Sequence, residues 1–354
     1  MRRDLLRVKL SDLGNKSRSS NNFIDNTMDS DDDYDDDYDA MDESEGEVCG
    51  HNSGNGANTT PESDGTESST GLTETQLLMC RSSLRGYSLK TKKWLTFSIS
   101  GVSPIQFSTT AFENLVLPSD HKELILALSE SQTQNKESFD DIIKGKGKGM
   151  IMLLSGPPGV GKTLTAESVA EHMQAPLYMM SAGDIGLSSS EVENKLSNVL
   201  EMATKWNAIL LLDEADVFLE QRSAKGLERN KLVSIFLRLL EYYEGILFLT
   251  TNRVDNIDAA FQSRIHISMQ YDELSTSSRK HVWNTFLNMG SKEGGEGSFT
   301  LTDLDNLAER KMNGREIKNV IKTAKLLASR KGELLGAAHV ESVLAIEQRH
   351  VGKK

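Results

Sequence analysis

Apolar residues in this chain gather into short unbroken runs, and the stretches between them carry helical spacing. Met150-Ile151-Met152-Leu153-Leu154, Ala208-Ile209-Leu210-Leu211-Leu212 and Ile246-Leu247-Phe248-Leu249 are continuous rather than alternating, which is how strands read when both faces are covered. With weaker runs they give five predicted strands, near 150–154, 177–181, 208–213, 246–251 and 265–269. Periodicity predicts helices over 162–172 and 191–205 and a short one over 258–264. After Asp272 no long apolar strand follows. Helical spacing runs instead over 278–287, 301–311, 315–329 and 337–348, interrupted by a Gly-rich loop at 291–298.

Where the first run ends, Gly156-Pro157-Pro158-Gly159-Val160-Gly161-Lys162-Thr163 opens the 162–172 helix. Glycines 156, 159 and 161 remove side chains where backbone N–H groups turn inward around a phosphate chain, Lys162 reaches the outer phosphates, and the Thr163 hydroxyl ligates Mg²⁺. The helix points its positive end at the same anion. Pro157, Pro158, Val160 and Leu164 complete the expected nucleotide-contacting set. A Gly-Pro surface turn is the alternative, and it does not account for the strand before and the amphipathic helix after.

The 208–213 run delivers Asp213-Glu214-Ala215-Asp216 at its C-terminal end, where open α/β sheets bind ligands. Asp213 is placed to hold Mg²⁺ through water, and Glu214, one residue further out, to polarise a water attacking a γ-phosphate. An acidic helix start explains Asp216 well and Glu214 poorly. The 246–251 run ends at Asn252-Arg253, a neutral amide able to orient the same water, and the 258–264 helix presents Arg264.

In this order the motifs resemble the AAA+ ATPases, from about Ala111 to Glu347. The wording at 164–171, 213–220 and 240–253 is similar to AAA-type ATPases of filamentous fungi, whose biological role is largely unassigned. The resemblance implies an α/β P-loop NTPase domain with a five-stranded parallel sheet, followed by a small all-helical lid, binding ATP and Mg²⁺ and hydrolysing the β–γ bond of ATP. It implies that Asn252 is a first sensor and that Arg264 is an arginine finger acting on a neighbour's nucleotide. That in turn requires a homo-oligomer, a ring such as a hexamer or at least a dimer. Arg315, in Gly314-Arg315-Glu316-Ile317, stands where the family's second sensor opens a lid helix; a solvated helix start is the alternative. Residues 111–117, followed by 121–129, resemble the segment that covers adenine, with a strand-turn-helix entry lacking ligand contact as the alternative.

One departure bears on function. Ring unfoldases place an aromatic in the loop after the second strand, whereas Ser181-Ala182-Gly183-Asp184-Ile185-Gly186-Leu187-Ser188-Ser189-Ser190 has none. Threading of a substrate chain is therefore disfavoured, and a plain strand-to-helix turn is expected, with a weaker apolar grip by Ile185 and Leu187 as the alternative. The polar loop 221–229 is expected at an inner or intersubunit surface. Three function classes stay open: an oligomeric ATP-hydrolysing remodeller of proteins or complexes, a slow-hydrolysing ATP-binding assembly switch, and a nucleic-acid motor. The full set Lys162, Thr163, Asp213, Glu214, Asn252 and Arg264 favours the first. Nucleic acid is disfavoured, because the basic stretch Lys144 to Gly149 has no interleaved aromatics.

The rest of the chain is organised differently. Asp29 to Glu47 holds twelve acidic residues and no Lys or Arg, which equals the whole formal net charge of −12. Its acidity and the Ser/Gly/Asn/Thr-rich stretch after it predict a disordered tail over residues 1–76. Short alternating runs over 77–108 predict a small β-rich remnant of an N-terminal domain, so that the nucleotide-binding domain spans 109–272 and the lid 273–348. No run of eighteen apolar residues exists, so no membrane span is expected. Cys49 and Cys80 supply neither a disulfide framework nor a metal set, which suits a reducing compartment, cytoplasmic or nuclear. Asp4 and Asp12 argue against a mitochondrial presequence at the basic N-terminus.

Overall fold

The computed structural model describes residues 6–8, 74–134, 147–186, 188–222, 227–253, 257–288 and 299–351. Five parallel strands, β1 (Met150–Ser155), β2 (Leu177–Ser181), β3 (Ile209–Asp213), β4 (Ile246–Thr251) and β5 (Ile267–Gln270), form one sheet in the order β2-β3-β4-β1-β5. This is the parallel five-stranded α/β fold the sequence anticipated. β5 begins two residues late, at Ile267, because His266 caps the ladder with its own side chain: its N–H donates to Ile151 O at 2.9 Å and its Nδ1 accepts from Ile151 N–H at 3.1 Å.

The unbroken apolar runs are explained by two cores. Ile151, Leu153, Leu210, Leu212, Leu247 and Leu249 point to one face, and Met152, Leu154, Ile209, Leu211, Ile246 and Phe248 to the other. The first face is covered by α3 (Ser189–Trp206) and α4 (Leu227–Glu241) through residues such as Val192, Leu196, Val233 and Phe236. The second is covered by α1 (Ser119–Gln134) and α2 (Lys162–His172) through Ile125, Ala166 and Val169. Phe248 sits fully buried in the central strand. Phe248→Ala should therefore cost about 3–5 kcal/mol, read as a lowered denaturant midpoint; a shift below about 1 kcal/mol would contradict this packing.

The C-terminal part is a bundle of α5 (Thr276–Asn288), α6 (Leu301–Glu309), α7 (Gly314–Lys331) and α8 (Ala337–Val351) around Trp283, Leu307, Ile317, Val320 and Val340. Buried Arg279 stitches α5 to α6 by donating from Nε to Ala308 O at 2.7 Å. Capping boxes Thr300/Asp303 and Asn313/Glu316 start α6 and α7, and Gly332 in a left-handed conformation ends α7.

Two local readings are corrected. Residues 111–117 contain no strand: Thr110–Glu113 is a helical turn with Phe112 buried against the sheet's second core. The stretch after β2 is not a plain turn either. Ala182–Ile185 is a short helix held by a Ser181/Asp184 capping box, and Lys92 adds an ion pair to Asp184 at 2.6 Å. Of the polar loop 221–229, the last three residues already belong to α4. The acidic stretch 29–47, the basic residues 144–146 and the Gly-rich loop 291–298 lie outside the described residues, as does Leu187.

By contacts the chain divides into two compact units, one of Met1–Leu6, Tyr87–Trp94 and Pro104–Lys354, the other of Arg7–Gly86 and Leu95–Ser103. The first holds the sheet and the helical bundle. The second contains the helix Glu74–Met79 and a 3₁₀ turn at Ile99–Gly101. Strands Ser83–Ser88 and Lys93–Ser98 pair as a two-stranded sheet.

Candidate functional site

At the end of β1 the backbone must turn sharply into α2, and three glycines permit it. Gly156, Gly159 and Gly161 adopt φ of 140°, 77° and 110°, values that penalise any side chain. Gly156 is also excluded on space, since a Cβ there would meet Tyr271 O at 2.3 Å. α2 then starts at Lys162 with no side-chain cap on its first N–H groups, leaving the positive end of the helix open to an anion. Pro157 and Pro158 carry no N–H, so the loop's inward donors begin at Gly159. Val160 packs into the core beneath. Leu164 is 48% exposed on the outer face of α2.

Lys162 is the hub of the site. Its buried ammonium donates to Gly156 O and Pro157 O, both at 2.7 Å, and to Asn252 Oδ1 at 2.9 Å. Burial holds its pKa below the usual lysine value, with Asp213 and Asp216 pulling it back up and Arg315 pushing it further down. One residue along, Thr163 Oγ1 lies 3.3 Å from both carboxylate oxygens of Asp213. The structure thus brings Lys162, Thr163, Asp213 and Asn252 together from three parallel strand ends.

Glu214 follows Asp213 in a left-handed conformation, φ 55°, and its N–H donates to Thr250 Oγ1 at 3.0 Å. That turn carries Glu214 out of the sheet into a groove shared with Asp216, Arg229, Arg253 and the Ala182–Gly183 helix start. Asp216 accepts a hydrogen bond from Thr251 and lies in the first turn of the helix Asp216–Leu219, the position expected of a structural helix-start charge.

Two arginines are placed differently. Arg315, in the first turn of α7, is close enough to Lys162 to perturb its charge. The neighbouring lid residues touch the loop directly: Gly314 N–H donates to Gly159 O at 2.9 Å, and a Cβ on Gly159 would lie 2.5 Å from Asn313 Oδ1. Arg264 is not brought to the loop. Its guanidinium reaches Ala260 O at 3.0 Å and Glu241 at 3.7 Å, and Glu241 O accepts from Gly147 N–H at the entry to β1. Arg264 therefore sits by the start of β1, at the opposite end of the strands from the loop, about 20 Å away for a six-residue strand.

Residues 152–273 match the family described as "ATPase family associated with various cellular activities (AAA)". That stretch, which holds the phosphate loop and the C-terminal ends of all five strands, is similar to an AAA ATPase domain. The chain is 31% identical over 137 residues to human "ATPase family AAA domain-containing protein 3B" (36% of this chain, 21% of that protein). It is 29% identical over 199 residues to "ATPase family AAA domain-containing protein FIGL1" of Arabidopsis thaliana (52% and 28%). Against "ATP-dependent zinc metalloprotease FtsH 2" of Salinibacter ruber the identity is 30% over 216 residues (56% and 30%). The chain thus spans less than a third of the length of these relatives.

The Mg²⁺ that the similarity leads one to expect suits the donors present. Among the described residues no three of His, Cys, Asp and Glu gather to hold an ion unaided, and Thr163 with Asp213 is a hydroxyl–carboxylate pair. Mg²⁺ is commonly held in this way, by one or two protein oxygens with phosphates and water completing the shell. No helix among the described residues is long and apolar enough to cross a membrane.

Several residues around this site escaped the sequence reading. Thr250 and Thr251 hold Asp213 and Asp216, and the Tyr271 hydroxyl meets Thr165 Oγ1 at 2.7 Å beneath the loop, its pKa pushed up to about 12 by burial. Glu167 on α2 has its pKa raised by burial, lowered by Lys318 of α7 and raised again by Asp213. The one local signal was the pair of threonines ending an otherwise apolar strand.

Proposed function

We propose that this chain hydrolyses ATP to ADP and phosphate as a homo-oligomer, with each nucleotide gripped by one copy and completed for cleavage by its neighbour, and that it uses the cycle to remodel proteins or complexes. The observation that carries the reading is the single cluster in which Lys162 meets Asn252 at 2.9 Å and Thr163 meets Asp213 at 3.3 Å, with Glu214 turned outward beside them.

In this reading Gly156 to Thr163 wraps the phosphates, with Val160 and Leu164 flanking them, and Lys162 exchanges its loop carbonyls for phosphate oxygens. Thr163 and Asp213 hold Mg²⁺, which when bound neutralises charge on the β- and γ-oxygens. Glu214 takes a proton from the attacking water as its oxygen bonds to the γ-phosphorus and the bond to the β–γ bridging oxygen breaks. Asn252 orients that water, Arg315 contacts the γ-phosphate from the lid, and Arg264 of a second copy stabilises the departing charge. The relatives' printed names, ATPase and ATP-dependent protease, support the reaction class. The wording at 164–171, 213–220 and 240–253 supports placing the chain beside the fungal AAA-type ATPases. Its content of two cysteines in 354 residues supports a reducing intracellular compartment.

The test is ATPase activity titrated against protein concentration, with and without single-stranded DNA, RNA and a loosely folded protein. Specific activity should rise with concentration and respond to the protein alone. Specific activity independent of concentration would overturn the shared site, and stimulation by nucleic acid would favour a motor.

A further inference from the structure

We propose that Thr250 sets the aim of Glu214, acting as the positioning residue of this site; the proposal rests on the ATPase reading above. Thr250 is the fifth residue of β4, the strand beside β3, and is 1% exposed. A hydroxyl there breaks the apolar run Ile246 to Leu249, and a buried hydroxyl is retained at little cost where its donor and its acceptor capacity are both used. Both are used here. The hydroxyl donates to Asp213 Oδ1 and accepts Glu214 N–H at 3.0 Å, while the backbone carbonyl of the same residue accepts Ala215 N–H at 2.9 Å. Three consecutive residues, 213, 214 and 215, are therefore tied to one.

The middle member is the one that needs holding. Glu214 occupies a left-handed conformation that a non-glycine residue adopts only when its surroundings over-determine it, and the contacts on either side come from Thr250. Without the hydroxyl, Glu214 N–H loses its acceptor and Asp213 loses a donor. The turn that swings Glu214 out of the strand can then relax, and its carboxylate leaves the line of the attacking water. Lys162 and the loop glycines contact other atoms, and Asp213 keeps the Thr163 hydroxyl on both of its oxygens, so nucleotide binding should be spared. Loss of aim without loss of grip separates positioning from a general structural role.

The full chain is compared as wild type, Thr250→Val, Thr250→Ser and Glu214→Gln, measuring ATP turnover and the affinity for a fluorescent ATP analogue with Mg²⁺. Val keeps the shape and strand preference and removes the hydroxyl. Thr250→Val should lose roughly 10–100-fold in kcat with affinity held within about 2-fold, and Thr250→Ser should restore turnover. Adding Thr250→Val to Glu214→Gln should cost nothing further, because the aimed group is already disabled. If Thr250→Val melts below the assay temperature, Thr250→Ala removes the same hydroxyl and is read by the same criteria. Wild-type turnover in the hydroxyl-free variant, or a parallel loss of affinity that Ser does not rescue, overturns the proposal. Wild-type chain without ATP turnover overturns the ATPase reading itself, and this proposal with it.

Discussion

Glu214→Gln should lower ATP turnover by roughly 100- to 10,000-fold, the range set by removing a general base, while ATP stays bound. The substitution keeps size and the capacity to hydrogen-bond, and it removes the ability to take a proton. Nothing else in the site depends on that carboxylate: Lys162 is held by loop carbonyls and Asn252, Thr163 by Asp213, and the Glu214 N–H by Thr250. The groove beside it, with Asp216, Arg229 and Arg253, also stays charged. Affinity measured by equilibrium binding should therefore change little, and the ATP-bound form should accumulate as the assembled species in light scattering. Turnover equal to wild type would remove Glu214 from the mechanism. An equal loss of ATP affinity would show that it grips the substrate rather than activating water.

How much of this was legible in the sequence depends on distance along the chain. The strand runs could be read because a sheet covered on both faces forbids polar interruptions, and Phe248 and Leu249 do go to different cores. The glycine loop could be read because its conformations exclude other residues locally. The Ala182–Ile185 helix was also readable in principle, since Ser181 and Asp184 spell its capping box. The Tyr271–Thr165 contact, 106 residues apart, and Thr250–Asp213, 37 apart, leave no periodicity, because they arise only when strands become neighbours. The same holds for Tyr87 and Trp94, which pack on Trp206 with ring centroids 5.1 and 6.4 Å away. His266 misled the strand boundary for a related reason, its ring standing in for a backbone acceptor. The contact of Gly314 with Gly159 likewise joins a loop and a helix start that sequence periodicity treats separately.

Arg264→Ala carries the largest expected loss, roughly 1,000- to 100,000-fold in turnover, the range for removing an arginine finger, with ATP affinity retained. Within its own copy the Arg264 guanidinium makes one hydrogen bond, to Ala260 O at 3.0 Å, and one ion pair. Its ion pair with Glu241 is long, at 3.7 Å, and partly exposed on both sides, so it contributes about 0–1 kcal/mol to stability. Its Nε is buried without a hydrogen-bond partner among the described residues, an arrangement a structural arginine would rarely keep. With the Ala260 hydrogen bond adding about 0.5–1.5 kcal/mol, the variant should stay folded, which a thermal melt checks, and Glu241→Ala serves as the control that breaks the same pair while sparing the guanidinium. The end of the sheet at which Arg264 lies is remote from its own Lys162, so the proposed reaction needs a second copy to bring the two together. Mixing decides the point: Arg264→Ala supplies an intact phosphate loop and Lys162→Ala an intact arginine, and combined they should recover activity that neither shows alone. Failure to recover, with both variants folded and associated, would place the arginine outside the reaction. Full turnover by Arg264→Ala at every protein concentration would reduce the site to one that works within a single copy.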